Sequence, residues 1–209
     1  NNRINGSIAY YNKYVKDLLL AVQLPPSAGV AGGSIWNNIG DLVNSGIELS
    51  ITSVNIRSKN FKWQSSFNIS FNHNEVKKLT PEIDATGAGM ISSGYITKVG
   101  TGIRDFFGAK FAKIDPQTGL PLIYKLDVDY YNETGETRHL KDDNGNDVLI
   151  LGNANNASSN YFHFKNKNQI PKYYGGITNQ FNYKAFDFSF LVTYSGGFYI
   201  FDEGIRNPT

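Results

Sequence analysis

The stretch from Phe61 to Asn72 constrains this chain more than any other. Phe61, Trp63, Ser65, Phe67, Ile69 and Phe71 alternate with Lys62, Gln64, Ser66, Asn68, Ser70 and Asn72. Successive side chains of a strand point to opposite faces, so an extended run here has one largely aromatic face and one polar face. Strands of globular proteins average about five or six residues. This run is about a dozen residues long, near the roughly 9–11 with which a tilted strand crosses a bilayer. A wall with acyl chains on one side and water on the other would require such a pattern.

Four more segments read as strands. Residues 3–16 place Ile4, Gly6, Ile8, Tyr10 and Tyr14 opposite Arg3, Asn5, Ser7, Ala9, Tyr11 and Lys13. Residues 46–54 set Ile47, Leu49 and Ile51 against Glu48, Ser50 and Thr52, and residues 176–183 set Ile177, Phe181 and Tyr183 against Thr178, Gln180 and Asn182. After a turn at Lys184-Ala185, Phe186, Phe188, Phe190, Val192 and Tyr194 oppose Asp187, Ser189 and Thr193, with Leu191 as an exception. Short turns at residues 55–60 and 184–185 alternate with connections of roughly thirty and a hundred residues, whereas compact domains rarely tolerate long unstructured loops. Outer-membrane barrels have this asymmetry, with short periplasmic turns and long outer loops. Aromatic girdles are then expected at two levels, with Phe61, Trp63, Tyr183 and Phe186 at the turn end and Tyr14, Phe71 and Tyr194 at the loop end.

Hydropathy alone argues otherwise. Mean hydropathy is −0.35, and no run approaches the 18 apolar residues of a membrane helix. Barrel strands spend only every second residue on lipid, so their signal is weak. The net charge of +2 makes no case for nucleic acid. There is no cysteine, so neither a disulfide framework nor a thiolate metal site is available. The N-terminus has no signal-peptide pattern, which implies a removed leader or an internal piece of a longer chain.

Other motifs favour plain readings. The long segment 73–171 should carry local structure, with turns at Asp115–Gly119, Asn132–Gly135 and Asp143–Asn146 and a hairpin of residues 121–127 with 137–140. Residues 152–160 are small and polar. Asp127 and Asp129 on a strand would lie about 7 Å apart, within range for glycoside hydrolysis, but nothing nearby completes such a site. The run Asp142–Asp147 puts glycine and glutamate at the wrong places for a calcium loop, so it reads as a turn. His73, His139 and His163 form no metal constellation, the Gly87-Ala88-Gly89 and Gly100-Thr101-Gly102 pairs lack a nucleotide-binding setting, and no Ser-His-Asp arrangement is present. No catalytic residue, metal site or cofactor is expected.

Several motifs together resemble one family. These are Asp17–Leu20 with Leu24–Gly29, Asn38–Gly40 with Asn44–Leu49, and Phe61–Asn72 with Asn74–Val76. Lys110–Asp115 with Thr118–Pro121, and Pro171–Gly176 with Phe181 and residues 184–190, complete the series. In this order they resemble the SusC/RagA family of TonB-dependent outer-membrane transporters of Bacteroidota. The resemblance implies an all-β fold, an antiparallel transmembrane β-barrel segment with long extracellular loops. About five strands would belong to a plugged barrel of about twenty-two. Residues 1–209 would be part of one barrel domain, with the plug and remaining strands absent from this chain, because five strands leave open edges that hydrocarbon does not allow.

The resemblance further implies a nutrient importer, not an enzyme, in the cell outer membrane. Its partners would be a SusD-like surface lipoprotein, the TonB complex acting through the plug, outer-membrane lipid, and an oligosaccharide or peptide cargo. Arg3, Lys13, Glu48, Lys62, Gln64, Asn68, Gln180 and Asn182 would face the lumen. Trp36, Tyr95, Phe106, Phe107, Tyr130, Tyr131, Tyr161 and Phe162 would lie in outer loops as ligand or partner contacts, or as cement between loops. The rival is a secreted soluble β-sandwich that binds glycan or acts as an adhesin, in which Phe67, Ile69, Phe188 and Phe190 would share a core. A glycosidase accessory domain is a third option and would need paired catalytic carboxylates.

Overall fold

A computed structural model describes residues 3–23, 27, 29, 34–38, 40–81, 83–84 and 87–200. Leu24, Pro25, Pro26, Ala28 and Ile39, which carry part of the family resemblance, lie outside the described residues. In chain order the strands are β1 (Ile4–Val15), β2 (Leu19–Gln23), β3 (Ser34–Asn38), β4 (Gly40–Arg57), β5 (Phe61–Leu79), β6 (Met90–Ser92), β7 (Tyr95–Thr97), β8 (Asp105–Ala109), β9 (Phe111–Ile114) and β10 (Pro121–Tyr124). Helix α1 (Val128–Thr134), β11 (Leu149–Leu151), helix α2 (Ala154–Ser158), β12 (Tyr161–His163), β13 (Tyr173–Tyr183) and β14 (Phe186–Gly196) follow. The chain divides into two compact units. One comprises Asn1–Tyr14, Val43–Asn74 and Gln169–Thr209; the other comprises Val15–Leu42 and Glu75–Asn168.

The first unit is built on one sheet in the order β1-β4-β5-β13-β14. β13 is antiparallel to both neighbours, and its register aligns alternate residues into rows across three strands. One face carries the rows Phe61–Tyr183–Phe186, Trp63–Phe181–Phe188, Ser65–Asn179–Phe190, Phe67–Ile177–Val192, Ile69–Gly175–Tyr194 and Phe71–Tyr173–Gly196. Ring stacking runs along one row, with centroids of Trp63 and Phe181 5.6 Å apart and those of Phe181 and Phe188 6.2 Å apart, and Phe181 reaches Phe190 of the next row at 6.3 Å. At the loop end Tyr194 lies across Gly175, where a Cβ would collide with its ring, and its hydroxyl donates to the Asn68 carbonyl at 2.9 Å. Large rings laid over strand glycines restore the cross-strand packing that a missing side chain forfeits.

Both strands predicted around the first turn are longer than their sequence spans. β4 continues to Arg57, which confines the turn to Ser58–Asn60, where the Ser58 amide donates to the Phe61 carbonyl at 2.8 Å. Asn55 stays in the ladder because its Nδ2 donates across to Ser65 Oγ at 2.7 Å. β5 runs on past Asn72 to Leu79 because Val76 and Leu79 are buried with Leu42 in the second unit, with Val15, Leu18, Ile83, Met90 and Ile103 packed around them.

The second unit contains a four-stranded sheet, β12-β8-β7-β6, a three-stranded sheet, β11-β10-β9, and the β2-β3 hairpin. The predicted hairpin of residues 121–127 with 137–140 is replaced. β10 pairs with β9 and β11, and the two segments are joined by the isolated bridge Leu126–His139, the Asp127–Arg138 ion pair and the stacking of Tyr124 on His139. The reason is α1, for which Asp127 accepts from the Tyr130 amide as N-cap and Gly135 closes the C-terminus at φ 67°. The Asn132–Gly135 turn signal is thus a helix end. Residues 152–160 likewise hold a helix, α2, capped by Asn153. The Asp142–Asn146 turn forms as read, with Asp142 Oδ1 accepting from the amides of Asn144 and Asn146.

Candidate functional site

The lumen-facing residues named from the sequence fall on one face. The register sets Lys62 opposite Asn182 and Gln64 opposite Gln180, and puts Asn68 in the same alternate series. Thr52 Oγ1 lies 3.2 Å from Ser66 Oγ, and Ser50 Oγ lies 2.8 Å from Ser7 Oγ. These contacts carry the same face through Glu48 on β4 to the alternate set of β1 that includes Lys13. Arg3 precedes β1, and its carbonyl accepts from the Val54 amide at 2.7 Å. On this face the Tyr11 hydroxyl crosses Gly46 and donates to Asn72 Oδ1 at 2.9 Å, and Asn182 Nδ2 donates to Asp187. The surface is uncharged or cationic for most of its extent and rich in side chains that both donate and accept hydrogen bonds.

The opposite face is apolar, and none of the described residues of the first unit covers it. Every buried hydrophobic residue among those described, from Leu42 to Phe162, belongs to the second unit. In the sheet Phe186 is 77% exposed, Phe188 63% and Ile8 76%, while Trp63, Phe67 and Ile69 are only partly covered. The shared core that a sandwich would build from Phe67, Ile69, Phe188 and Phe190 is not formed. Exposed apolar area on this scale marks a surface that meets another medium or partner.

The outer-loop aromatics divide. Phe107 and Phe162 are buried, Phe107 edge-on to Tyr161 at 5.7 Å and Phe162 edge-on to His139 at 5.3 Å, so they serve as cement. Tyr95 is tilted against Phe106 at 5.4 Å, with the Arg104 guanidinium 4.5 Å above its ring. Arg138 sits 3.8 Å over Tyr130 while its Nε bonds Asp127 Oδ2 at 2.8 Å, and Tyr131 is half-buried. Trp36, on β3, is 73% exposed.

Two polar features escape a reading of alternation alone. Asp105 is fully buried, with Oδ2 3.0 Å from His163 Nε2 and 2.7 Å from the Asn166 amide, and Oδ1 accepting from Asn168 Nδ2 at 2.9 Å. It pins the segment leading out of β12. Lys98 is likewise buried, and its Nζ donates to the Gly135 carbonyl at 2.6 Å and meets Glu136 at 2.8 Å. That ammonium holds the Glu136 carboxyl below the usual carboxylate range. Asp127 is also lowered, first by the Tyr130 amide and then by Arg138, which makes it a helix cap and ion-pair partner. It lies with Asp129 at the start of a helix, so the strand spacing considered for catalysis does not arise. Among the described residues no group of three His, Cys, Asp or Glu is placed to hold a metal ion.

A single-layer antiparallel sheet, apolar on one face and polar on the other, is a piece of β-barrel wall. No described helix is long and apolar enough to cross a membrane, which says nothing against crossing by strands. No family model matches the chain. It is 31% identical to the TonB-dependent receptor P39 of Formosa agariphila over 93% of its own length, and 30% identical to the TonB-dependent receptor SusC of Bacteroides thetaiotaomicron over 99%. It spans about a fifth of the length of these curated relatives: 20% and 19%. The solved structure of the RagAB peptide transporter superposes with a TM-score of 0.73 at 24% identity, covering 94% of this chain and 20% of that one. Over the part it spans, the chain is similar to TonB-dependent receptors of the SusC kind.

Proposed function

We propose that this chain forms part of the wall and outer loops of a plugged outer-membrane barrel that imports an oligosaccharide or peptide. The apolar rows face lipid, and the series from Arg3 to Asn182 faces the bore, where it contacts the plug and passing cargo. The β2-β3 hairpin and the exposed aromatics of the second unit, with Trp36 foremost, meet cargo or a SusD-like lipoprotein. TonB acts through a plug supplied outside this span, and the remaining strands complete the same domain. The mechanism is binding, closure and gated passage, with no covalent chemistry.

The observation that carries this reading is the in-register aromatic face left open by the described residues of its own unit. The names of the relatives and the RagAB likeness support it. The test uses the complete receptor in cell envelopes. Detergent should be needed for its release, and deleting the gene should abolish uptake of a labelled oligosaccharide or peptide. Release by high salt alone would overturn the membrane placement. Unchanged uptake of every cargo offered would overturn the import role.

A further inference from the structure

One row of the apolar face is polar on two of its three strands. Ser65 and Asn179 stand opposite each other in β5 and β13, one row in from the Trp63–Phe181 stack. Ser53 and Asn55 reach the same place from β4. Ser53 Oγ donates to Asn55 Oδ1 at 2.6 Å, Asn55 Nδ2 to Ser65 Oγ at 2.7 Å, and Ser65 Oγ to Asn179 Oδ1 at 2.6 Å. Trp63 Nε1 donates to that same oxygen at 3.0 Å. Every donation runs toward Asn179, whose own Nδ2 donates to nothing among the described residues. Arg57 is the next residue of the same alternate series on β4; it is exposed and has no carboxylate partner among the described residues.

An open amide donor and a free guanidinium on a face of aromatic rings select a narrow class of ligand. An acyl chain alone would leave the donor unsatisfied, which is costly away from water. Inorganic phosphate would satisfy Arg57 and make no use of the rings. A glycerophospholipid supplies an anionic phosphate, ester carbonyls that accept hydrogen bonds, and chains that lie along Phe181, Phe188 and Phe190. Arg57 and Asn55 are two residues apart, about 7 Å along the strand, which puts the guanidinium on the turn side of the hydrogen-bonded chain that ends at Asn179. We propose that Arg57 and the Asn55–Ser65–Asn179 chain bind one phospholipid on the outer wall, phosphate at Arg57 and an ester carbonyl at Asn179 Nδ2. This rests on the apolar face meeting lipid.

The complete receptor, purified in mild detergent, would be examined by native mass spectrometry with phosphatidylglycerol, with diacylglycerol of the same chains, and with inorganic phosphate. The wild type should retain phosphatidylglycerol at least tenfold better than diacylglycerol and show no protection by phosphate. Arg57→Gln and Asn179→Leu should each cut that retention at least fivefold. Arg57 lies at an exposed strand end, so its variant reads the site even where the Asn179 variant fails to fold. Equal retention of both lipids, unchanged retention in Arg57→Gln, or competition by inorganic phosphate would overturn the site. A dimer lost in the variants, in place of a lipid, would overturn it in favour of a protein interface. A receptor that needs detergent yet shows no selective lipid refutes only this proposal, whereas one released by salt refutes the membrane placement itself.

Discussion

The two units use the same backbone ladder to opposite ends. In the second, side chains converge: Ile96 is 1% exposed, Val76 2% and Phe162 4%. In the first, the apolar side chains form ordered rows and stay open. β5 belongs to both units. From Phe61 to Asn74 it alternates without burying an apolar side chain, and from Val76 to Leu79 its apolar residues close a core. Alternation therefore marks a boundary between two environments and does not by itself say which environment is the interior. What decides is whether another layer of the chain arrives to cover the apolar side.

The sharpest way to break this contrast is to put a charge on each face. Phe67 sits mid-strand in the row with Ile177 and Val192, and Gln64 sits on the polar face opposite Gln180. Phe67→Lys should cost about 2–4 kcal/mol, the penalty for a cation near the bilayer midplane. Gln64→Lys should stay within about 0.5 kcal/mol. Urea titration of the complete receptor in liposomes reads both. Equal effects would mean that the two faces do not meet different media.

In the second unit the matching test removes a buried anchor. Asp105→Ala leaves the Asn166 amide, Asn168 Nδ2 and His163 Nε2 without their shared acceptor. The cost should be about 2–3 kcal/mol, since buried donors left unpaired carry their desolvation penalty. Faster hydrogen exchange should appear in residues 161–168 and not in β13 or β14. Loss of protection across the sheet as well would show that the units do not fold separately.

How legible each unit was follows from the same difference. The sheet strands, their polar and apolar faces and the two tight turns could be read because a barrel wall writes its environment into every second residue. The register could not, and with it went the Ser65–Asn179 row: Ser65, Asn179 and Asn55 look like isolated breaks in alternation until three strands are aligned. The second unit was read poorly because its elements are short and its core is assembled from distant pieces. Leu42, Val76 and Leu79 lie on β4 and β5 beyond the residues whose alternation marks them as strand. Asp127 looked like half of a carboxylate pair and is a helix cap. Of the outer aromatics, Phe107 and Phe162 gave no sign in the sequence that they would be buried while Trp36 would not.

Acid separates the units more gently. Asp115, Asp127, Asp142 and Asp147 are all held below the ordinary carboxylate range, by the Thr118 hydroxyl, the Tyr130 amide, the Asn146 amide and Lys141 respectively, as Glu136 is by Lys98. A carboxyl lowered in the folded state contributes stability above its unfolded value, about 4. It loses that contribution as pH falls through the lowered value. All five belong to the second unit. After correction for the intrinsic pH dependence of exchange, protection of the amides of Gln117, Tyr130 and Asn146 should fall between about pH 5 and 3, while that of β5 and β13 should not. Parallel losses in both units would remove this distinction.

The smallest expected effect concerns Trp36. Its ring is 73% exposed on the β2-β3 hairpin, so Trp36→Ser should change the receptor's stability by no more than about 0.5 kcal/mol. An exposed tryptophan contributes little to a fold and a great deal to an interface, where buried aromatic anchors dominate binding. If Trp36 meets cargo or the surface lipoprotein, the same substitution should weaken that association at least tenfold, as read by uptake rate and by co-purification of the two proteins. A variant that takes up cargo and retains its partner like the wild type would remove Trp36 from the proposed contact surface. The comparison would be sharpened, since the second unit would then hold its exposed aromatics for a reason other than binding.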